Sequence, residues 1–351
     1  MSKMLKKISV VGHFAEGKNL LNGQTIKTKI LTESLENVYG SDAVMKIDTH
    51  GGIKTLVKAP YHVLTSLKGA KNVIMLPAHN GLRVYAPLLA IAKKLFRGRK
   101  IHYAVIGGWL PEFLKKRAWL KRFLMSFDGI YVETNTMKNA LEAMGFKNIV
   151  LLPNCKKLNI LKEDELVYYT EPPLPLCTFS RVMKEKGIED AIEAVKRVNA
   201  SYGKTVYTLD IYGQVDASQT EWFEELKTAF PDYVSYGGLV PFDKSTEVLK
   251  SYYALLFPTR FFTEGIPGTV IDAYAAGVPV ISSAWQSFAD VIEDGYNGIG
   301  YDFASVDALE KTLDEFANNP EKLNSLKTNC IASAEKFLPE VAVKILEEHF
   351  M

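Results

Sequence analysis

The residues of this chain best suited to chemistry lie in two runs. In residues 257–285 (FPTRFFTEGIPGTVIDAYAAGVPVISSAW), Glu264 and Asp272 frame the junction between a polar loop and a small-residue helix. Between them, Gly265, Ile266, Pro267 and Gly268 lead into Thr269 at the helix start. Such a loop presents bare backbone N–H groups at a helix N-terminus, where unpaired donors and the positive end of the helix dipole favour an anion. Carboxylates beside an anion site repel phosphate, so the pair implies a ligand that carries hydroxyls as well as phosphates, as a nucleotide sugar does. The second run is FSRVMKEKGIEDAIEAV, in which Arg181 offers a planar fork and Lys186 a point charge. Both suit two adjacent phosphates.

Elements that position these residues follow from periodicity. Short β-branched or apolar runs at 8–11, 43–47, 73–76, 101–106, 129–133 and 149–152 read as strands, with helices at 25–39, 84–96 and 136–143. The pattern restarts at 178 and gives a helix at 188–200, strands at 207–212 and 234–240, an apolar run ending at 257, a helix at 269–276 and a strand at 278–281. A terminal helix at 334–350 is broken near Pro339. Strands alternating with helices imply parallel sheets, and ligands of such sheets sit at the carboxyl ends of strands. Three strand ends are polar there: His79-Asn80-Gly81, Gly107-Gly108-Trp109 and Thr134-Asn135. The first strand opens into a glycine loop that holds His13 and Lys18 and ends at Gly23-Gln24-Thr25. His102 lies inside a strand and reads as a satisfied core residue.

The two runs resemble a known family. Glu264-x7-Asp272 followed by AYAAGVPVI is similar to the E-x7-E signature of retaining glycosyltransferases of family 4, the glycosyl transferase group 1 type. FSRVMKEKGIEDAIEAV resembles the same family's "GR…KG…A" segment, and Leu152-Pro153-Asn154 its "PN" turn. The chain departs from the pattern in having Asp272 rather than Glu. Near Gly107, where the family often has a functional histidine, it has glycines and Trp109. The resemblance implies a GT-B fold: two Rossmann-like, doubly wound parallel-sheet domains facing across a cleft. It places an acceptor-side domain at 1–160, a proline-rich linker at 161–175 and a nucleotide-sugar domain at 176–333, with 334–351 crossing back to the first domain. It further implies a retaining, metal-independent hexosyltransferase of cell-surface polysaccharide biosynthesis that uses a UDP or GDP sugar and a saccharide or lipid-linked acceptor. Glu264, Arg181 and Lys186 would carry the reaction, with Glu264 orienting sugar hydroxyls. Gly265, Ile266, Pro267, Gly268, Thr269, Asp272, Gly213, Gly23 and Gln24 would bind the donor, with Asp272 on the ribose. His13, Lys18, His79, Asn80, Gly108 and Trp109 would face the acceptor.

Several readings compete with these. Gly12-x4-Gly17-Lys18 follows the phosphate-loop pattern until Asn19, where a Ser or Thr should hold magnesium, and Asn22-Gly23 interrupts the helix that should begin at Lys18. Thr269 and Asp272 have the spacing of a capping box. Residues 111–124 (PEFLKKRAWLKRFL) read either as a basic amphipathic helix lying on an anionic membrane, with 93–100 extending the patch, or as a helix packed on the sheet with its lysines solvated. A non-catalytic nucleotide-sugar-binding protein, or a GT-B phosphorylase or epimerase, would share the donor contacts.

Composition bounds the rest. With 351 residues the chain suits two domains, each able to bury a core. A net charge of +2 gives no global reason to expect a nucleic-acid partner. No D-x-D motif marks a divalent-metal site. The three cysteines, Cys155, Cys177 and Cys330, form no C-x-x-C, which fits a reduced cytoplasmic setting without a cysteine metal site. The apolar run after the N-terminal lysines is too short for a signal peptide, and no run approaches a membrane span. These features place the protein in the cytoplasm, with the inner face of the cytoplasmic membrane as the surface that 111–124 would contact.

Overall fold

Apolar runs such as Ile8–Val11 and Ala254–Phe257 have no polar face to turn to water, so they must be covered on both sides. In the computed structural model, which describes residues 6–18 and 23–350, each is a central strand of a parallel sheet. The chain divides into two compact units, Met1–Lys157 with Phe337–Met351, and Leu158–Lys336.

Unit 1 holds β1 (Lys6–Gly12), β2 (Val44–Asp48), β3 (Ala70–Met75), β4 (Lys100–Ala104), β5 (Gly129–Val132) and β6 (Ile149–Leu151) in the order β2-β1-β3-β4-β5-β6, all parallel. Its helices are α1 (Gly23–Tyr39), α2 (Ile53–Val57), α3 (Ala59–Gly69), α4 (His79–Lys93), α5 (Leu110–Lys115), α6 (Ala118–Leu124) and α7 (Asn135–Ala143). Strand order reverses between β1 and β3, and right-handed crossovers on either side of such a point put helices on both faces.

Unit 2 holds β7 (Leu174–Phe179), β8 (Tyr207–Tyr212), β9 (Val234–Gly238), β10 (Ala254–Phe257), β11 (Val280–Ser283) and β12 (Gly298–Tyr301) in the order β12-β11-β10-β7-β8-β9, again parallel. Here the order reverses between β7 and β10. Around the sheet lie α8 (Ile188–Tyr202), α9 (Thr220–Thr228), α10 (Ser245–Leu249), α11 (Gly268–Ala275), α12 (Phe288–Val291), α13 (Val306–Asn318), α14 (Pro320–Asn324) and α15 (Lys327–Ala334). Each unit has its own apolar core. The last helix, α16 (Pro339–Phe350), packs on α1 of unit 1.

Three local readings change. Residues 111–124 are not one helix: α5 and α6 meet at Arg117, whose non-helical φ of −142° breaks the run and whose guanidinium turns back onto the Phe113 carbonyl at 2.7 Å. Phe113, Leu114, Leu120 and Leu124 are buried in the core, whereas Trp119 is 49% exposed, so only part of the apolar surface of this segment is spent on packing. β11 starts at Val280 rather than Val278. Gly277, at φ +63°, ends α11, and the Val278 amide closes back onto the Ala273 carbonyl at 2.8 Å, a left-handed helix stop that consumes Val278. The stretch 161–175, read as a linker, packs on unit 2: the Leu161 amide donates to the Ala275 carbonyl, and Asn324 brackets the Tyr169 backbone.

His102 is a core residue. It is fully buried between Asn72 Oδ1 (3.3 Å) and the Tyr131 hydroxyl (3.0 Å), and burial pushes its pKa down to about 4.

Candidate functional site

In unit 2, β7 and β10 are neighbours whose onward connections run to opposite edges of the sheet. Loops leaving the carboxyl ends of two such strands part and open a crevice between them. The exit of β7 carries Arg181 and Lys186; the exit of β10 carries Glu264 through Thr269. A glycine makes the two exits flush. Gly187 has φ +70°, and a Cβ there would lie 1.9 Å from the Pro258 carbonyl oxygen, so no other residue fits.

This close approach joins two residues 78 positions apart: Lys186 Nζ donates to Glu264 Oε2 at 2.8 Å, with both side chains largely buried. The Thr259 hydroxyl donates to the same oxygen at 3.2 Å. Thr259 is itself fixed by the Phe261 amide on its Oγ1 and the Ser283 hydroxyl on its carbonyl. Glu264 Oε1 has no partner among the described residues. The carboxylate is therefore held at one oxygen and open at the other, ready to accept from a ligand hydroxyl. Lys186 also lies over the Phe257 and Phe261 rings, 5.4 and 5.1 Å from their centroids, which keeps the ammonium in place by cation–π attraction.

At the start of α11 the first residue outside the helix is Pro267, and no side chain caps the helix. The capping-box reading of Thr269 and Asp272 is thereby excluded. The Thr269 hydroxyl is buried with no hydrogen-bond partner. A buried hydroxyl left unpaired costs about 1–3 kcal/mol, and such groups in a native fold call for a reason. Pro267 has no N–H, and Ile266 is already engaged. The amides of Gly265, Gly268 and Thr269 have no acceptor among the described residues. Three open amides and an orphan hydroxyl at a helix N-terminus make an anion cradle. Asp272, one turn further on, is 4% exposed.

Gly213 follows β8 at φ +132°, and a Cβ there would sit 1.8 Å from the Ser180 carbonyl oxygen. It lets the β8 exit abut the loop of Arg181. Arg181 is half exposed, and its Nη1 lies 3.4 Å from Asp216 Oδ2. Ser218 donates to Asp216 through its hydroxyl and its amide, and these bonds together with Arg181 hold that carboxyl below its ordinary range. Arg181 does not touch Lys186 or Glu264. Trp285 is packing: 2% exposed, edge-on to Phe257 and Phe288.

The strand-order reversal of unit 1 lies between β1 and β3, whose exits carry His13 and His79. Asp48, at the end of β2, accepts backbone amides from Phe14, Ala15, Glu16 and His50 and so folds the loop after β1. Burial raises its pKa, but the four amides outweigh that and hold the carboxyl below its ordinary range. The folded loop sets His13 between Thr25 Oγ1 (2.8 Å from Nδ1) and His50 Nδ1 (2.9 Å from Nε2). Desolvation, then His50, lowers the His13 pKa, which favours the neutral ring, able to accept a proton. His79 stacks on Trp109 at 3.9 Å between centroids, with Phe113 edge-on to both; desolvation, then Arg83 and Arg117, lowers its pKa.

Gly108 is buried, whereas Asn80 and Lys18 are exposed. Gly23 begins α1, and Gln24 Nε2 donates to the Leu76 carbonyl at 3.2 Å. No helix starts at Lys18, which sits in a turn, and residues 19–22 of that loop lie outside the described residues. Sequence reading did not single out Thr259, Asp48 or His50. The last two follow a strand as Asp48-Thr49-His50-Gly51-Gly52, a strand-end polar run of the kind that marked 79–81. Among the described residues no group of three or more His, Cys, Asp or Glu is placed to hold a metal ion.

Two doubly wound parallel sheets in one chain define the GT-B class of fold, and solved structures bear this out. The chain is similar to sucrose-phosphate synthase from Thermosynechococcus elongatus (TM-score 0.76, 14% identity, 98% of each chain). It is also similar to Anabaena HepE in complex with UDP and glucose (TM-score 0.72, 13% identity, 98% of each chain). Residues 170–333, which lie within unit 2, match the family described as glycosyl transferases group 1. Among curated relatives, the amylovoran biosynthesis glycosyltransferase AmsK of Erwinia amylovora is 29% identical over 152 residues, 41% of this chain. The match spans 35% of that relative's length.

Proposed function

We propose that this protein is a retaining glycosyltransferase that moves a hexosyl group from a UDP or GDP sugar to a saccharide or lipid-linked acceptor in cell-surface polysaccharide biosynthesis, without a metal ion. The observation that carries the reading is the Lys186–Glu264 pair beside the open amides and orphan hydroxyl at the start of α11. When a glycosyl donor breaks its bond to phosphate, negative charge grows on the diphosphate and positive charge on the sugar. Preorganised donors aimed at the leaving group supply most of the stabilisation such a step needs. Arg181, Lys186, the amides of Gly265, Gly268 and Thr269 and the Thr269 hydroxyl form that set. Glu264 Oε1 takes a sugar hydroxyl, and Asp272 is assigned to the ribose by the family resemblance. On unit 1, His13, Lys18, His79, Asn80, Gly108 and Trp109 are assigned to the acceptor, with His13 as the neutral imidazole. The relative that acts in amylovoran biosynthesis and the neighbour solved with UDP and glucose support the substrate class. No helix of the described residues is long and apolar enough to cross a membrane, and the cytoplasm is the proposed compartment.

The test is a thermal-shift panel of UDP and GDP sugars in EDTA on the wild type and Arg181→Ala, followed by NMR of the anomeric centre in the product. A shift that survives EDTA and shrinks in the variant supports the site. A product of inverted configuration refutes retention. Stabilisation by ATP with magnesium and by no nucleotide sugar refutes the transferase reading.

A further inference from the structure

Charge in this chain is lopsided. Residues 81–128 hold eleven of its 42 Lys and Arg residues but only two, Glu112 and Asp128, of its 40 Asp and Glu residues. Part of this excess rings a cavity. Between the C-terminal end of α4 and α6 lies an open cavity of about 830 Å³, walled by Ile91, Phe96, Trp119 and Phe123. Two of the cations at its edge have structural partners: Lys93 pairs with Asp128 at 2.6 Å, and Arg99 Nε donates to the Leu67 carbonyl at 3.0 Å. Lys94, Arg97 and Arg122 are exposed and have no carboxylate partner among the described residues. Beside them Leu95 is 80% exposed, Ile91 55% and Trp119 49%.

A ligand for this place needs an apolar body and an anionic head. A neutral apolar partner would cover three cations without neutralising them, which is costly. A nucleic acid would meet the cations but leave the aliphatic walls uncovered. An anionic phospholipid satisfies both, and a tryptophan beside basic side chains is the usual composition of a membrane-interface face. We propose that this face of unit 1 docks on an anionic phospholipid bilayer, with Leu95 and Trp119 in the headgroup layer, an acyl chain entering the cavity, and phosphate held by Lys94, Arg97 and Arg122. The continuous helix 111–124 is not the docking element: α5 is spent on the core, and α6 pairs instead with the end of α4. The proposal does not depend on the transfer reaction, since vesicle binding and sugar transfer are measured separately.

The test is flotation of the full chain with vesicles of phosphatidylcholine, alone or with about 30% phosphatidylglycerol, in which each cation near the surface is worth roughly fivefold in partitioning. The wild type is expected to float with the anionic vesicles only, and less so as salt rises. Arg97→Ala with Arg122→Ala should lower partitioning about thirtyfold. Ile91→Ser with Trp119→Ser, which leaves the charge unchanged, should lower it too. Lys204→Ala with Lys311→Ala, on unit 2, should leave it unchanged. Thermal melts of each variant establish that it is folded. Absence of wild-type flotation overturns the proposal, as does binding to single-stranded RNA in place of vesicles. Flotation that Ile91→Ser with Trp119→Ser does not reduce also overturns it, because adsorption by charge alone needs no cavity.

Discussion

Thr269 sets stability against binding in a single side chain. Its hydroxyl is buried and unpartnered, so Thr269→Val, which keeps the shape, should leave the ligand-free protein as stable or up to about 1 kcal/mol more stable. The same change should weaken nucleoside diphosphate binding about tenfold or more, since a hydrogen bond to a charged oxygen is lost. Melting curves and a UDP or GDP titration read the two effects, and a fall in both would mean that the hydroxyl is structural. Glu264→Gln puts a carboxamide of the same shape in place of the carboxylate and removes the charge opposite Lys186; kcat should fall about 100-fold with the fold intact. Turnover at the wild-type rate would remove Glu264 from the chemistry. How far these residues can be read from sequence depends on what makes them special. The Glu264–Thr269 run declares itself through residue types in a row. The Lys186–Glu264 bond does not, because it exists only where β7 and β10 lie side by side. Thr259, Asp48 and His50 are harder still, since Asp48 bonds backbone amides, which any sequence possesses.

At the scale of elements, the strands were legible because buried parallel strands are continuous apolar runs, but their order was not, and the order creates the crevice. What ties helices to the sheet was also hidden. Lys27 of α1 reaches Glu133 at the end of β5 at 2.5 Å, both side chains 3% exposed or less. Removing Lys27 takes a buried ammonium away from the Glu133 carboxylate. Lys27→Met alone should therefore cost about 3–5 kcal/mol, and Lys27→Met with Glu133→Leu clearly less. Denaturant unfolding of the two variants decides, and equal losses would mean that the ion pair itself is net stabilising. His102, between β3 and β5, gives unit 1 a pH limit. Its folded pKa of about 4 lies below the ordinary 6.5, so the unfolded chain binds the extra proton. Its contribution is complete above pH 6.5 and is lost as pH falls from there towards 4, about 3 kcal/mol in all. His102→Gln should flatten that slope in unfolding curves between pH 7 and 4.5; an unchanged slope would assign it to other groups. Asp48, with its pKa lowered instead, acts in a separate window below 3.8.

For the whole molecule, alternating strands and helices in two sets announced two doubly wound units, whereas the destination of the final helix followed only from the family resemblance. Nothing in PEVAVKILEEHF says which unit its apolar stripe should cover, because either sheet offers a helix layer to pack on. The structure puts α16 on unit 1. Pro339, Ala342, Val343 and Leu346 are buried there, and Phe350 lies edge-on to His102. Burial of Val343 and Leu346 alone is worth about 3–5 kcal/mol, a large part of the stability of one unit. A chain ending at Leu338 should therefore lose hydrogen-exchange protection in α1, β4 and β5, while β7, β10 and α11 keep theirs, since none of the α16 contacts named reaches unit 2. If protection fell equally in α8, β10 and α11, the two units would share one cooperative transition, and the last helix would hold that transition together rather than unit 1 alone.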